Sequence, residues 1–492
     1  MSTHLAASEE VRGRPPYFLR FRSSTPFIAI TVALGVITDL SGYGLIVPVI
    51  PFRLQALGYS DVGSKTGWLV AAYAGGLIVS SPPVAWAGGY FKGRRIPLLF
   101  TLCFMAGAII LFMETSSFTA MIISRILQGF SGTGLWTLGL ALITDSVPEE
   151  RVGRVMGQVM IGFSVGSLIG PPVGGVLYAR MGYRAPFVFS LCLIFCDFVL
   201  RLLVIEKHVA LKWIRAGVEI PGFEAPGYTA PSESTSGAEG SAKPSLIAVS
   251  NFGADTECTA VEQSLPPNHW RAMMSMVTSV RPVTNFLLTA LNGLVLGGML
   301  DTGMTLWLQH QYSLSSLGAG LVFIAVVVPS FFASPFAGWA SDKYGAKWIA
   351  VIGLSLSIPA YSLLVIAGPL PLFIFFLVIL GFSLSFFLTP TMQDLSIVVA
   401  STPGLPASAA YGCFNMMYSV GAFIGPIIAG NLIEGLGIRK GWIVMCCLSS
   451  GLAIMCWPLV VLHLGGPLKG RQNRVESDVE EIKTQEREEV RQ

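Results

Sequence analysis

Apolar residues gather into twelve long stretches, six on either side of a polar segment near the middle of the chain. The hydrocarbon core of a bilayer is about 30 Å thick, so a helix needs roughly 20 mostly apolar residues to cross it. In the first set, the pattern predicts membrane-spanning helices at residues 27–50, 67–87, 96–113, 118–143, 155–179 and 185–205. In the second set, it predicts them at residues 284–307, 319–340, 347–367, 370–392, 407–433 and 441–463.

Composition supports this interpretation, because 53% of the residues are hydrophobic and only 12% are charged. A soluble domain cannot hide that much apolar surface from water. The predicted fold class is therefore an all-α polytopic membrane protein with two six-helix halves. The predicted division is an N-terminal tail (1–26), a first bundle (27–206), a linker (207–283), a second bundle (284–464) and a C-terminal tail (465–492). Pro221–Lys243 is rich in Pro, Gly and Ser, and we expect it to be flexible.

The basic residues outside the predicted spans are divided unequally between the two sides of the membrane. One side carries only Arg53, Lys65, Arg180, Arg184, Arg439 and Lys440. The other side carries the remainder, including both termini and the central linker. Because positive loops stay in the cytoplasm, the termini and the linker are predicted to be cytoplasmic. We expect no nucleic-acid partner, since the basic residues form no clustered soluble patch.

Two local patterns recur on either side of the linker. The run GSLIGPPVGG at 166–175 is answered by GAFIGPIIAG at 421–430, and SPPVAWAGG at 81–89 is answered by SPFAGWASD at 334–342. Two unrelated motifs that repeat at nearly the same spacing indicate a duplication of six helices. Duplicated halves around a central site are the architecture of alternating-access transporters.

Two charged residues lie deep within predicted spans. Asp39 lies midway along span 1, where burial favours the neutral acid, and it either exchanges protons or is a structural carboxyl bonded to Thr38, Ser41 or a neighbouring helix. Arg125 lies in span 4, where a charge costs about 2.5–3.5 kcal/mol, so it must face a partner or a wet cavity. Gln128 is one turn further along the same face.

Three motifs carry a family resemblance. They are RILQG around Arg125, the Gly-Pro-rich run of span 5, and GWASDKYGAK at 338–347. Together they resemble the major facilitator superfamily, and within it the twelve-span drug:proton antiporters, especially fungal members related to vesicular amine transporters. The resemblance implies a proton-coupling role for Arg125, and for Asp39, whose spacing to Pro48 is similar to that of an acid in the amine transporters. It makes the span 5 run an antiporter motif: Gly166, Gly170, Pro171, Pro172, Gly174 and Gly175.

The resemblance also implies a latch between spans 8 and 9. Its residues are Gly338, Asp342, Lys343, Gly345 and Lys347. Glycine allows close helix approach, and the acid can cap a helix or pair with cations; the alternative is a basic turn that only sets topology. The equivalent turn between spans 2 and 3 retains Arg94 and Arg95 but has lost the acid.

A central cavity is expected to include Asp39 and polar or aromatic groups of both halves. The candidates are Tyr43, Gln128, Trp136, Asn292, Asn415 and Tyr418. Asp301 of span 7 belongs either to this cavity or to its rim, and Asp197 and Arg201 have the spacing of a salt bridge within span 6. Asn415 occupies a position where the amine transporters carry an acid, which weakens the case for a monoamine substrate.

The leading hypothesis is a proton-coupled antiporter that exports a drug, toxin, secondary metabolite or organic acid by alternating access. The alternative is an importer or uniporter of the same fold. A membrane enzyme is disfavoured because the five histidines are scattered and no metal or acyltransferase motif occurs. The expected partners are a small molecule, protons and the lipid bilayer, without a cofactor or metal ion. We expect a functional monomer in the plasma membrane, or in a vacuolar or vesicular membrane.

Overall fold

The computed structural model describes residues 15–90, 93–147, 149–215, 274, 276, 278–401 and 407–465. Among these residues, twelve helices are long and apolar enough to cross a membrane, as the sequence predicted, and no strand occurs. The spans of the first half are Thr25–Ile46, Val62–Tyr90, Arg95–Glu114, Phe118–Thr144, Glu149–Met181 and Ala185–Leu203. A short helix, Leu19–Arg22, precedes span 1, and the helix Lys207–Arg215 follows span 6.

The second half repeats this order. Span 7 runs through Val280–Tyr312 and includes a π-helical segment, Val295–Met304. Span 8 consists of the helices Ser316–Val322 and Ile324–Tyr344. The remaining spans are Ala346–Leu363, Leu370–Ser401, Ala407–Leu436 and Ile438–His463.

The ends of the predicted linker differ from expectation. Span 7 begins at Val280, and the helix Lys207–Arg215 packs its apolar residues against Leu19. Both ends of 207–283 therefore belong to helices where they are described. Pro221–Lys243 lies outside the described residues, so its predicted flexibility stays a prediction.

Local signals explain where several spans begin and end. The Ser24 side chain accepts a hydrogen bond from the Phe27 backbone N–H, which caps span 1. Gly345 and Gly437 have φ of 89° and 80°, a left-handed region that favours glycine. Each is the single residue between two successive spans, so each allows an abrupt reversal of the chain.

Small residues set the packing within each half. An added Cβ on Gly174 would lie 2.1 Å from the Leu45 carbonyl oxygen, so span 5 crosses span 1 almost backbone to backbone. In the second half, an added Cβ on Gly421 would lie 1.9 Å from the Ala290 carbonyl oxygen of span 7. The repeated motif therefore gives close helix packing in both halves. Small residues allow such packing between membrane helices in general.

The closest backbone approaches between the halves, among the described residues, lie at the end opposite the chain termini. An added Cβ on Gly67 of span 2 would lie 2.2 Å from the Pro426 carbonyl oxygen of span 11. An added Cβ on Gly175 of span 5 would lie 2.3 Å from the Ser316 carbonyl oxygen of span 8. Ser64 donates a hydrogen bond of 3.0 Å to Asn431 beside the first contact. We call these contacts the closed end of the bundle.

Candidate functional site

Asp39 is fully buried between spans 1, 2 and 4. The Tyr73 hydroxyl donates a hydrogen bond of 3.1 Å to Asp39 Oδ2. Oδ1 has no hydrogen-bond partner within the described part of the chain. An added Cβ on Gly132 of span 4 would lie 2.9 Å from Oδ1, so this glycine provides the space for the carboxyl group. Asp39 thus has one oxygen held and one available for a proton or another donor.

Arg125 is also fully buried. Its Nη1 donates 2.7 Å to Gln128 Oε1, and its Nε donates 3.2 Å to the Leu69 carbonyl oxygen of span 2. Nη2 has no hydrogen-bond acceptor among the residues that the structure describes. The guanidinium carbon lies 5.2 Å from the centre of the Tyr43 ring, within the range of a cation–π interaction. Arg125 and Gln128, which helical spacing places on one face, are therefore joined by a hydrogen bond.

Tyr43 joins this cluster to the other half of the molecule. Its hydroxyl donates a hydrogen bond of 2.5 Å to Asp301 Oδ2 of span 7, and its ring lies 4.6 Å from the Tyr73 ring. Asp301 also interacts electrostatically with Arg125. Two acids from different halves therefore lie at opposite ends of one pair of packed tyrosine rings. We call Asp39, Tyr73, Tyr43, Arg125 and Asp301 the central cluster.

Asp301 lies within the π-helical part of span 7. The Thr302 hydroxyl donates a hydrogen bond of 3.0 Å to the Gly297 carbonyl oxygen, five residues earlier, which matches the wider turn. π-Helical turns are rare and are frequent at functional sites. Asp301 could be recognised as a candidate from the sequence, because it is an acid in an apolar span. Tyr73 could not, because a tyrosine in a membrane helix is usually a packing residue.

The remaining predicted cavity residues are distributed around this cluster. Gln128 is buried against Arg125, and Tyr418 of span 11 interacts electrostatically with Asp301. Asn292 is buried in span 7, Trp136 packs against Phe163 of span 5, and Asn415 accepts a hydrogen bond at its carbonyl oxygen from Ser419. These last contacts do not join Trp136 or Asn415 to the central cluster, so their role in a cavity stays a prediction.

The predicted antiporter motif forms the face of span 5 that meets span 1 and span 8. Gly166 lies against Leu40, and Gly170 lies against Gly44, while the Pro171 carbonyl oxygen lies 2.5 Å from an added Cβ on Gly320 of span 8. Pro171 and Pro172 are both inside the helix, and Gly174 and Gly175 continue the same contacts. This motif therefore contributes to the packing within one half and to the closed end.

The predicted latch residues lie in the turn between spans 8 and 9. Lys343 lies 5.3 Å from the centres of the Trp339 and Tyr344 rings, and Lys347 lies 5.6 Å from that of Trp348. Gly345 is required by its positive φ, whereas an added Cβ on Gly338 would make only an ordinary contact, 3.8 Å from Thr389. Close packing therefore does not explain Gly338. The Asp342 side chain lies outside the described positions, so the latch stays a prediction.

The charged groups of the equivalent region in the first half bind partners in their own half. Arg94 Nε lies 2.8 Å from Asp145 Oδ2, and the Arg95 guanidinium donates to the Leu202 carbonyl oxygen. The Glu206 carboxylate accepts from both of their backbone N–H groups. In span 6, Arg201 Nε lies 3.0 Å from Asp197 Oδ1, which is the intrahelical salt bridge that the spacing predicted.

Comparison with known proteins decides the family. The family model described as Major Facilitator Superfamily matches residues 32–219 and 286–487. The chain belongs to the major facilitator superfamily. Membership makes it a secondary transporter of a small molecule across a lipid bilayer, and the members of this superfamily are generally not enzymes.

Individual relatives agree with this assignment. The chain is 28% identical to the MFS-type transporter ppzB of Metarhizium rileyi, over 92% of this chain and 98% of that protein. It is 25% identical to the vesicular acetylcholine transporter of Rattus norvegicus, over 78% of this chain and 63% of that protein. The predicted relationship to vesicular amine transporters is thereby confirmed.

A solved structure shares the fold. A bacterial homolog of the human lysosomal transporter Spinster, in an inward-facing and unoccupied conformation, aligns over 92% of this chain and 100% of that one. The TM-score is 0.64 at 13% sequence identity, so the likeness extends to the superfamily fold of two six-helix halves.

Proposed function

We propose that this transporter is a proton-coupled antiporter that exports a small organic molecule by alternating access. The observation that carries the proposal is Asp39, a fully buried acid of the central cluster with one carboxylate oxygen that has no hydrogen-bond partner among the described residues. The free oxygen can take up or release a proton when the site opens to one side of the membrane. The same oxygen is a binding position for a donor group on a substrate, so proton and substrate compete for Asp39.

Arg125 places one fixed positive charge near Asp301 and near the tyrosine pair that joins Asp301 to Asp39. It interacts with Asp301 electrostatically and lies over the Tyr43 ring. A buried arginine without charge partners is costly, since an unpaired charge in the membrane costs about 2.5–3.5 kcal/mol even on the most lenient scale. Protonation or substrate binding at either acid changes this balance of charge, and we propose that the change drives the movement of the halves.

The coupling between chemistry and movement runs through Tyr43 and Asp301. Their hydrogen bond joins span 1 to span 7, so it must change partners if the two halves separate at the closed end. In the proposed cycle, the described arrangement is the state that is closed at the predicted extracellular end. Span 5, which contacts both span 1 and span 8, supports antiport through the resemblance of its Gly-Pro run to the antiporter motif.

The substrate class follows from the same cluster. A cluster of two acids and one arginine favours a positively charged or amphipathic organic molecule, with aromatic surface supplied by Tyr43, Tyr73 and Tyr418. A relative that is named for acetylcholine, a quaternary ammonium compound, makes organic cations the first compounds to test. We propose a monomer with cytoplasmic termini, in the plasma membrane or in a vacuolar or vesicular membrane.

The proposal is tested in proteoliposomes with an acidic lumen and a trapped pH-sensitive dye. Organic cations, organic anions and neutral drugs are added outside, one at a time. An antiporter exchanges luminal protons for an external substrate, so the lumen becomes more alkaline. Luminal acidification would instead identify a symporter, the importer alternative. Uptake of a radiolabelled compound without any pH change would identify a uniporter and overturn proton coupling.

A further inference from the structure

A surface outside the central cluster lies at the end of the first half that carries the chain termini. It is built from residues 17–22, just before span 1, and from the helix Lys207–Arg215, just after span 6. The two segments are joined, because the Ile205 backbone N–H donates 3.0 Å to the Arg22 carbonyl oxygen and Arg22 Nε donates 2.6 Å to the Leu203 carbonyl oxygen. We call this unit the basic–aromatic surface.

The aromatic residues of this surface project outward. Tyr17, Phe18 and Phe21 are 84%, 80% and 61% exposed, although a soluble environment would favour burial of such rings. Phe18 has φ of 57°, an uncommon conformation for a bulky residue. Span 1 begins at Thr25, so these rings lie no more than eight residues before the apolar span. Aromatic side chains at that depth are typical of the boundary between hydrocarbon and headgroups.

The charges of the surface have one sign. Residues 17–22 and 207–215 contain Arg20, Arg22, Lys207, Lys212 and Arg215 and no acidic residue. Arg20, Lys212 and His208 are exposed. The adjacent acid, Glu206, is directed inward, where it accepts hydrogen bonds from the Arg94 and Arg95 backbone N–H groups and has His208 Nδ1 at 3.3 Å. The outward positive charge, which is that of Arg20 and Lys212, therefore complements a layer of anions, whereas Lys207 is buried.

We propose that the basic–aromatic surface binds anionic phospholipid in the leaflet that faces the chain termini. The rings occupy the boundary region, and Arg20 and Lys212 attract the negatively charged headgroups. The apolar side of the helix Lys207–Arg215 packs on Leu19 and Ile205, so the helix holds the charges beside spans 1 and 6 and does not sink into the lipid. Bound anionic lipid then anchors the first half while the second half moves.

The test uses the purified full chain in detergent, titrated with phosphatidylserine or phosphatidylcholine and followed by native mass spectrometry. The first variant is Arg20→Gln with Lys212→Gln. A basic residue near an anionic surface contributes about fivefold in binding, so we expect the removal of two to lower the preference for phosphatidylserine by about 25-fold. The matched control, Arg439→Gln with Lys440→Gln, removes the same charge from exposed residues at the opposite end and should leave the preference unchanged.

A second variant separates headgroup attraction from insertion of the rings. Tyr17→Ser with Phe21→Ser should weaken the binding of both lipids equally and leave the preference for phosphatidylserine intact. Melting temperatures close to wild type would establish that all three proteins are folded. An equal loss of preference in the control variant, or an unchanged preference in Arg20→Gln with Lys212→Gln, would overturn the proposal.

Discussion

At the scale of single residues, the central cluster contains two acids that differ in their partners. Asp39 is held by Tyr73 within its own half, whereas Asp301 is held by Tyr43 from the other half. The packed rings of Tyr43 and Tyr73 bring these two bonds together. Of these two bonds, the Asp301 bond joins the halves and must break when they separate, whereas the Asp39 bond can persist.

Tyr43→Phe isolates that bond, because it removes the hydroxyl and keeps the ring. A hydrogen bond to a charged group contributes about 1.5–3 kcal/mol. The ratio of closed to open protein should therefore fall at least about tenfold. Ile433 lies beside Gly63 at the closed end. A cysteine introduced at Ile433 should therefore react faster with a thiol reagent when the closed end opens more often. Tyr59→Phe, which removes a hydroxyl bonded to Ser116 within one half, should leave labelling unchanged. Equal labelling in both variants would mean that the Asp301 bond does not stabilise the closed end.

Arg125 is a second residue whose chemistry can be separated from its size. Arg125→Gln removes the positive charge and should abolish gradient-driven transport. Arg125→Lys keeps a point charge but loses the planar hydrogen bonding to Gln128 and Leu69, so part of the activity should remain. Transport rates are compared at equal amounts of folded protein in the membrane. Comparable rates in all three proteins would make Arg125 a purely structural residue.

At the scale of helices, hydropathy predicted every span, because the length of an apolar run is set by the bilayer alone. It did not predict the π-helical turn of span 7. Apolar residues surround Asp301, so the hydropathy pattern is the same for an α-helix and for a π-helix. The turn decides which neighbour Asp301 meets, so its pairing with Tyr43 could not be derived from sequence. The repeat of small residues in spans 5 and 11 did predict close packing, because only glycine permits such backbone approach.

Gly67→Val tests the closed end at this scale. Its Cβ would lie 2.2 Å from the Pro426 carbonyl oxygen, so spans 2 and 11 must separate. We expect severalfold faster labelling of the cysteine at Ile433 and a large loss of transport. Gly107→Val is the matched control, because it makes the same substitution in a membrane helix where an added Cβ meets nothing within 4 Å. Slow labelling in Gly67→Val, as in the control, would mean that the two spans do not form a gate.

At the scale of the whole molecule, the central cluster spans the interface of two halves that the sequence repeat and the packing both identify as duplicates. Their closest described backbone contacts lie at one end, with the cluster further toward the middle of the membrane. Alternating access requires such an arrangement, in which one site is exposed first to one side and then to the other. Proton coupling requires, in addition, that the site contain a group that changes its charge during the cycle.

Asp39→Asn tests that central claim most directly, because it keeps the size of the side chain and prevents ionisation. Proteoliposomes containing wild type or variant receive the substrate identified by the dye assay. Accumulation driven by a pH gradient is compared with exchange of labelled for unlabelled substrate without a gradient. The account predicts that Asp39→Asn loses gradient-driven accumulation and retains measurable exchange. Gradient-driven accumulation equal to that of wild type would contradict it.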